Sequence, residues 1–283
     1  MIADECAARP TSSPTSSSCN PSSAATRPNA PRRAIVASAR PATTPRNSSS
    51  ARPRWPRGAM TTLRSEAARS GRQPPTLVPD RDCPLCPRLV AFREGESRAR
   101  AVVGITPRSP FGDVKARLLI VGLAPGMQGA NRTGRPFTGD YAGDLLYATL
   151  LEYGFAKGAY QARPDDGLKL VDCRIANAVH CVPPQNKPLP AEINTCRQFL
   201  AANLATMPNL RAIVALGRIA HDTVLKPLNL KGSQAPFGHG AVHQAGAFRL
   251  YDSYHCSRYN TNTGVLTPDM FRSVFSKVKA DLD

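Results

Sequence analysis

The residues whose types and spacing could perform chemistry are concentrated in one glycine-rich segment, residues 122–140. It reads Gly-Leu-Ala-Pro-Gly-Met-Gln-Gly-Ala-Asn-Arg-Thr-Gly-Arg-Pro-Phe-Thr-Gly-Asp. Repeated glycines let a backbone approach a ligand closely and present N–H groups to an anion. Arg132 and Arg135 add charge that suits phosphate, and Phe137 can either stack on a base or pack beneath the loop. The segment lacks the Gly-Lys-Ser/Thr of a Walker loop and the glycine spacing of a dinucleotide fingerprint.

Two further polar residues, Asn177 and His255, each come after an apolar run that predicts a strand. A buried Asn must satisfy a donor and an acceptor together, which suits the edge of a pyrimidine, while capping a turn is the alternative. His255 opens a polar loop that contains Ser257 and Arg258 and ends at Gly264. Such a loop is typical of one that grips phosphate or probes a groove. A lone His is more often structural than catalytic, so neither residue identifies the chemistry by itself.

Four cysteines have the spacing of a metal site. Cys83 and Cys86 form a C-x2-C pair, and Cys181 and Cys196 form a second, wider pair. Four thiolates suit zinc and a [4Fe–4S] cluster equally well, and four unrelated buried thiols are the alternative. The first 30 residues lack the apolar core of a secretory leader. We therefore expect a cytoplasmic protein and metal binding rather than a disulfide framework.

The charge balance points to a polyanionic partner. The chain has 283 residues with 37 Lys and Arg against 20 Asp and Glu, a formal net charge of +17. Nucleic acid fits this excess better than a membrane, because no apolar run approaches the roughly 20 residues that a spanning helix needs. A basic protein with no nucleic-acid partner remains the alternative, since charge alone does not separate the two.

The elements that must position these residues alternate along the chain. We predict an α/β fold, a three-layer α/β/α domain with a central, mostly parallel four-stranded sheet. In such a sheet, ligands bind beyond the carboxyl ends of the strands, where the loops at Gly122, Asn177 and His255 begin. The predicted strands are Leu118–Val121, Arg174–Val179, Ala212–Leu216 and Phe248–Tyr254, and the predicted helices are Ala142–Tyr153, Pro190–Leu204, Arg218–Leu225 and Pro268–Leu282.

Residues 1–75 differ in composition from residues 76–283, which we assign to the folded domain. The first 60 residues are rich in Ser, Pro and Ala and hold nine arginines against two acids. This composition predicts a disordered basic tail that adds DNA affinity. A translation start at Met60, which would leave the segment unmade, is our preferred alternative, and an organelle transit peptide is the third.

The combination of motifs resembles the uracil-DNA glycosylase superfamily, specifically its family 5, the B type. The resemblance extends from Cys83 to about Phe275 and includes every residue of that family's first motif: Gly-Leu-Ala-Pro, Asn-Arg-Thr-Gly-Arg and Phe-Thr-Gly-Asp. The family's strand-end Asn is matched by Asn177 and its His-led loop by His255. Cys256 departs from the family pattern, which has Pro there, and Pro would stiffen the loop.

The resemblance implies hydrolysis of the N-glycosidic bond of a flipped-out uracil or other deaminated base, such as hypoxanthine, in double-stranded DNA. It also implies a monomer and favours a [4Fe–4S] cluster over zinc. The residues it implicates are Asn131, Asp140 and His255 in catalysis, Ala124, Phe137 and Asn177 in base binding, Arg132, Arg135, Arg258 and Tyr259 in DNA binding, and Cys83, Cys86, Cys181 and Cys196 as cluster ligands.

Three alternatives stay open. The family 4 type is restricted mainly to uracil and resembles Gly-Glu-Ala-Pro-Gly at the first motif, where this chain has Leu123 in place of Glu. A non-catalytic nucleic-acid-binding protein built on a four-cysteine zinc site is the second. The third concerns the group that activates water: Asn131 or Asp140 could do so, whereas Ala124 cannot, and Asp140 could instead cap the following helix.

Overall fold

The computed structural model describes residues 77–99 and 106–283. The predicted basic tail, residues 1–75, lies outside the described residues, as does the proposed start at Met60. Both therefore stay predictions. None of the helices in the described part of the chain is long and apolar enough to cross a lipid bilayer.

A six-stranded sheet forms the centre of the domain. Its strands lie in the order β1-β5-β2-β6-β8-β7, and β5, β2, β6 and β8 are parallel to one another. A separate pair, β3 and β4, forms a small antiparallel sheet. The strands in chain order are β1 (Phe111–Gly112), β2 (Leu118–Gly122), β3 (Ala156–Lys157), β4 (Lys169–Leu170), β5 (Cys173–Asn177), β6 (Ala212–Leu216), β7 (Val242–Ala245) and β8 (Phe248–Ser253).

The predicted fold class is confirmed, but the predicted number of strands is wrong. The four predicted strands form the parallel core, and β1 and β7 add an antiparallel strand at each edge. Both edge strands lack the continuous apolar run of a buried strand. β1 is two residues long, and β7 is mostly exposed along its length. Neither segment therefore gives a strong strand pattern.

The helices cover both faces of the sheet. On β2, Leu118 and Ile120 pack into one apolar core with α2 and α6, whereas Leu119 and Val121 pack into a second core with α3 and α4. Because successive side chains of a strand point to opposite faces, this alternation produces the three layers. The helices are α1 (Pro87–Ala99), α2 (Tyr141–Glu152), α3 (Pro190–Thr206), α4 (Arg218–Leu225), α5 (Arg258–Asn262) and α6 (Pro268–Leu282).

Four helical pieces of the described chain were not expected from the sequence. α1 follows the C-x2-C pair, a π-helical turn spans Met127–Asn131 in the glycine-rich segment, a 3-10 turn spans Pro184–Asn186 after β5, and α5 follows His255. Ser257 caps α5 by accepting a hydrogen bond from the backbone N–H of Asn260. These pieces are short or polar, so they carry little helical periodicity.

The carboxyl ends of the parallel strands bring the candidate residues together. Gly122, the last residue of β2, is directly opposite Asn177, the last residue of β5. On the other side of β2, β6 ends at Leu216 beside Ser253, the last residue of β8, two positions before His255. The loops that leave these four strands therefore open onto the same edge of the sheet.

Candidate active site

A cleft lies at this edge of the sheet, with an empty volume of about 1290 Å³ when the part open to solvent is counted. Residues 123–130 of the glycine-rich segment form one wall, and the loop after β8 contributes another part of the lining. Six residues predicted from the sequence line the cleft: Ala124, Phe137, Asp140, Asn177, His255 and Arg258. The cleft therefore combines residues from three strand-end loops that are far apart in the sequence.

Asn177 presents a hydrogen-bonding group that the protein leaves unused. The residue is 6% exposed, and its Oδ1 atom has no hydrogen-bond partner among the described residues. Gly122 makes room for it, since a Cβ atom there would stand 2.5 Å from Asn177 Oδ1 and 2.7 Å from Phe137 Cζ. A buried polar atom without a partner is unfavourable, so this amide is suited to a ligand that enters the cleft.

His255 is a neutral imidazole in this setting. Burial lowers the pKa of its side chain to about 4, well under the ordinary value for histidine. Its ring centroid lies 5.9 Å from that of Phe137, and its carbonyl accepts a 2.8 Å hydrogen bond from Asn260 Nδ2. Cys256, which replaces the family's proline, is fully buried, and its thiol donates to the carbonyl of Ala142. Packing of this thiol supports the loop where the ring of proline is missing.

Asp140 faces the glycines of the opposite wall. It occupies the N-cap position of α2, where its side chain makes no capping hydrogen bond of standard geometry, although the backbone N–H groups of Gly143 and Ala142 favour its charged form. Its Oδ1 atom has no partner within residues 77–99 and 106–283, and burial raises the pKa of its carboxyl group. A Cβ atom at Gly129 would stand 2.1 Å from Asp140 Oδ2. Glycine is therefore required there if this carboxyl group is to reach the cleft.

Asn131 lies outside the cleft lining of the described structure, and its catalytic role stays a prediction. It is 3% exposed, and in the described structure it is not among the residues that line the cleft. Arg108 donates to both the carbonyl and the Oδ1 atom of Asn131, whose Nδ2 lies 3.7 Å from Met127 Sδ. The side chain is thus engaged in fixing the π-helical turn.

Three of the four predicted DNA contacts are on the surface. Arg132 is exposed, and its Nε donates to the carbonyl of Gln128. Arg258 is exposed and lies over the ring of Tyr141, 5.2 Å from its centroid. Tyr259 is 74% exposed, which is unusual for a large apolar ring. All three remain available to a macromolecular ligand.

Arg135 does not agree with its predicted role in DNA binding. The residue is 6% exposed, and its guanidinium group donates two hydrogen bonds of 2.8 and 2.7 Å to the buried carboxylate of Asp166. A guanidinium that is buried and paired in this way does not reach a DNA phosphate. In the described structure Arg135 therefore holds Asp166, whereas Arg132, Arg258 and Tyr259 are exposed.

The four predicted cluster ligands line a second cavity, on the side of α1. Cys83 and Cys86 precede α1, Cys181 follows β5, and Cys196 lies within α3. The backbone N–H of His180 donates to Cys196 Sγ at 3.4 Å. Burial raises the pKa of Cys181 to about 11 and the pKa of Cys196 to about 12. The neighbouring cysteine thiols shift both pKa values in the same direction. The remaining lining is mostly apolar: Pro79, Leu85, Leu89, Val90, Arg93, Val179, Thr195 and Phe199.

The four cysteines are the donors that a metal group would use in this cavity. In the part of the chain that the structure describes, no three His, Cys, Asp or Glu side chains converge closely enough to hold one metal ion. Four thiols in one mostly apolar cavity are a donor set that zinc and a [4Fe–4S] core both use. An N–H···S hydrogen bond and an apolar lining are also features of such sites.

Several residues of the site gave no signal in the sequence. Arg108 fixes Asn131, Asp166 pairs with Arg135, and Tyr160 donates a hydrogen bond to the carbonyl of Phe137. In each pair, the two residues are at least 23 positions apart in the sequence. Tyr141, which lines the cleft and contacts Arg258, follows the glycine-rich segment directly and could have been included with it.

Comparison with known proteins agrees with this geometry. The family model described as "Uracil DNA glycosylase superfamily" matches residues 109–279, which include the whole cleft. The chain is 46% identical over 203 residues to the type-5 uracil-DNA glycosylase of Thermus thermophilus, covering 70% of this chain and 92% of that protein.

Two other relatives distinguish the type-5 group from the type-4 group, by their identity to this chain and by the share of it that they match. The type-5 uracil-DNA glycosylase of Pyrobaculum aerophilum is 40% identical over 205 residues, 71% of this chain and 89% of that protein. The type-4 uracil-DNA glycosylase of Thermotoga maritima is 34% identical over 139 residues, only 49% of this chain and 58% of that protein. The predicted family is confirmed: this chain belongs to the uracil-DNA glycosylase superfamily, within its type-5 group.

Proposed function

We propose that this protein is a DNA-repair enzyme that hydrolyses the N-glycosidic bond of uracil and of other deaminated bases in double-stranded DNA. The observation that carries the proposal is the convergence of Asn177, Phe137 and His255, from three different loops, on one cleft. The net charge of +17 supports a polyanionic substrate. The names of the relatives, type-5 uracil-DNA glycosylases, support the choice of reaction.

Base recognition is assigned to Phe137, Asn177 and the backbone near Ala124. The enzyme must take the nucleotide out of the duplex, because the bond to be broken is inaccessible inside it. The base stacks on the ring of Phe137, and the amide of Asn177 meets its edge. The Oδ1 atom accepts from N3–H of uracil, and Nδ2 donates to O4. The unpaired state of Oδ1 in the described structure supports this role.

The same amide supports activity on hypoxanthine. Hypoxanthine presents N1–H and O6 side by side, which is the donor and acceptor pattern of N3–H and O4 in uracil. The cleft opens to solvent, so its walls do not enclose a space limited to the smaller pyrimidine ring. Asn177 therefore gives no strong basis for rejecting hypoxanthine. This favours a broader substrate range over the alternative of an enzyme restricted to uracil.

His255 and Asp140 are assigned to the chemical step. Negative charge develops on the departing base, and a preorganised donor stabilises it. With a pKa of about 4, His255 is neutral near pH 7 and serves as a hydrogen-bond donor to that base. Asp140, with an unpaired oxygen and a raised pKa, orients the attacking water. A sugar with cationic character needs little help from a general base, so the main contribution of Asp140 is to orient the attacking water.

Contacts with the DNA backbone and groove are assigned to Arg132, Arg258 and Tyr259. Their exposure supports this assignment, as does the position of Arg258 in the cleft lining. Arginines next to a substrate cleft suit phosphate oxygens, and an exposed aromatic ring can fill the stack that the flipped base leaves.

The protein would act as a monomer, which size-exclusion chromatography would check.

A [4Fe–4S] cluster is assigned to Cys83, Cys86, Cys181 and Cys196. When bound, the cluster would supply cross-linking rather than electron transfer, since its ligands join α1, α3 and the segment after β5. The segment after β5 directly follows Asn177, so the cluster would also steady the base-binding residue at the end of that strand. Iron and acid-labile sulfide in the brown purified protein would support this assignment, whereas a colourless protein with one zinc would contradict it.

The test is a strand-cleavage experiment with the purified full chain. Duplexes that carry one uracil, one hypoxanthine or no lesion are incubated with the protein, treated with alkali and separated on a denaturing gel. We expect cleavage at uracil and at hypoxanthine and none in the undamaged duplex. Cleavage at uracil alone would favour the uracil-restricted type, and binding without cleavage would favour a non-catalytic protein.

A further inference from the structure

Arg135, which the DNA contacts no longer include, lies at the centre of a group that we call the Arg135 cluster: Arg135, Asp166, Tyr147 and Tyr160. The Arg135 guanidinium lies 5.3 and 5.7 Å from the centroids of the Tyr147 and Tyr160 rings. These two rings stack on each other with centroids 4.6 Å apart. A buried cation held by two rings and a bidentate carboxylate is strongly constrained.

The Arg135 cluster holds the chain at Phe137 and at the residue on each side of it. Tyr147 donates a 2.6 Å hydrogen bond to the carbonyl of Pro136, and Tyr160 donates a 3.2 Å bond to the carbonyl of Phe137. Arg135 Nε donates to Thr138 Oγ1 at 2.7 Å. Three consecutive residues, 136–138, are therefore each fixed by a side chain of this cluster.

Phe137 needs this support because its backbone is in an unfavourable conformation. Its φ angle is +54°, in the left-handed region that bulky side chains rarely adopt. Such a conformation persists only where the surroundings impose it, and these positions are concentrated at functional sites. Only glycine fits at position 143 beside this contact, since a Cβ atom on Gly143 would lie 1.8 Å from the Phe137 carbonyl oxygen and 2.4 Å from Tyr160 Oη.

Asp166 ties the cluster to a second part of the chain. Its side chain is 0% exposed and also accepts hydrogen bonds from the backbone N–H groups of Gln161 and Leu168. The hydrogen bonds from Arg135 hold the pKa of this carboxyl group well below its usual range. The loop between β3 and β4 is thereby fastened to the segment that carries Phe137.

We propose that Arg135 and Tyr160 are positioning residues that hold Phe137 as the stacking face for the flipped base. The inference rests on the proposed function and adds a role to residues that touch neither base nor DNA. Tyr160 acts on the Phe137 carbonyl directly, and Arg135 acts through Asp166 and Thr138. Loss of either contact lets the Phe137 backbone relax toward an ordinary conformation, so that its ring no longer faces the base correctly.

The test is a double-mutant cycle between Tyr160→Phe and Phe137→Ala. Tyr160→Phe deletes only the hydroxyl group and keeps the ring stacked on Tyr147. The readouts are the single-turnover rate on uracil DNA and the binding preference for a duplex with non-hydrolysable 2′-fluorodeoxyuridine over an undamaged duplex. We expect Tyr160→Phe to lower both about fivefold, the size of one neutral hydrogen bond, and to have no further effect in the Phe137→Ala background.

Tyr153→Phe is the matched control, because Tyr153 packs against the same apolar core and lies outside the Arg135 cluster. It should leave both readouts unchanged. Asp166→Asn is the second variant and should act in the same direction as Tyr160→Phe, with a larger loss, because it leaves the Arg135 charge without its partner.

The outcomes separate this inference from the proposed function. An active wild type whose preference is unchanged by Tyr160→Phe, or reduced equally in both backgrounds, would overturn the positioning role and leave the glycosylase assignment intact. A wild type that releases no uracil would overturn the proposed function itself, and this inference with it.

Discussion

The active-site cleft and the cysteine cavity are both built to receive something, but they differ in what the protein leaves unsatisfied. In the cleft, Asn177 and Asp140 each have a buried oxygen without a partner in the described structure. In the cysteine cavity, thiols are surrounded by an apolar lining and carry raised pKa values. Directional polar atoms suit a ligand that arrives, is recognised and leaves. Four soft donors in a dry cavity suit a group that stays.

The difference teaches how each region should respond to mutation. Loss of a polar cleft residue such as Asn177 or Asp140 should reduce the rate while the fold persists, because each leaves a buried oxygen unsatisfied in the described structure. Loss of a cysteine should reduce stability first, because cluster binding would be coupled to the folding of α1 and α3. The following four predictions test this contrast.

The largest expected effect is that of His255→Ala. Removal of a donor that stabilises developing negative charge should lower the single-turnover rate of uracil release about 100- to 1000-fold. Binding to undamaged DNA should persist, since His255 contacts the base rather than phosphate. His243→Ala, which removes a histidine outside the cleft lining, is the control. An active His255→Ala protein would contradict the assigned role.

Gly122→Ala should follow, with a rate about 10- to 100-fold lower, as expected when reacting groups are displaced by a few tenths of an ångström to 1 Å. The new methyl group would stand 2.5 Å from Asn177 Oδ1 and 2.7 Å from Phe137 Cζ, so one of them must move. Gly232→Ala is the matched control, because nothing lies within 4 Å of its added Cβ atom. Equal rates for both variants would show that the cleft tolerates the displacement.

Cys196→Ala should change composition and stability more than rate. We expect loss of bound iron and a lower melting temperature, with uracil release reduced only a few-fold at temperatures where the variant stays folded. Cys173→Ala is the control, since Cys173 is buried in β5 outside the cysteine cavity. Iron analysis and thermal unfolding check this. Full iron content in Cys196→Ala would remove that residue from the ligand set.

The smallest effect is expected from pH. Because the pKa of His255 is lowered to about 4, its imidazole is already neutral at pH 6, and the rate should show no inflection near pH 6.5. The rate should instead fall in acid as Asp140, whose pKa is raised by burial, becomes protonated. Asp140→Asn should remove that acid limb. An inflection near pH 6.5 that disappears in His255→Ala would contradict the neutral imidazole.

The amino-acid sequence by itself determined the parallel core of the sheet and which loops carry the cleft. Four apolar runs had the length and composition of buried strands, and strand direction then placed Gly122, Asn177 and His255 at one edge. These features are local in sequence, so a local pattern can predict them. Type-5 membership followed in the same way, from motifs that are contiguous or nearly so.

Only the tertiary structure decided which of the charged residues in the glycine-rich segment face the ligand. Arg132 and Arg135 are three positions apart and look alike in sequence, yet one is exposed and the other is buried against Asp166, 31 positions away. Asn131 is likewise held by Arg108 and Phe137 by Tyr160, each 23 positions away in the sequence. A side chain's role depends on its partner, and partners brought together by folding leave no periodic signal along the chain.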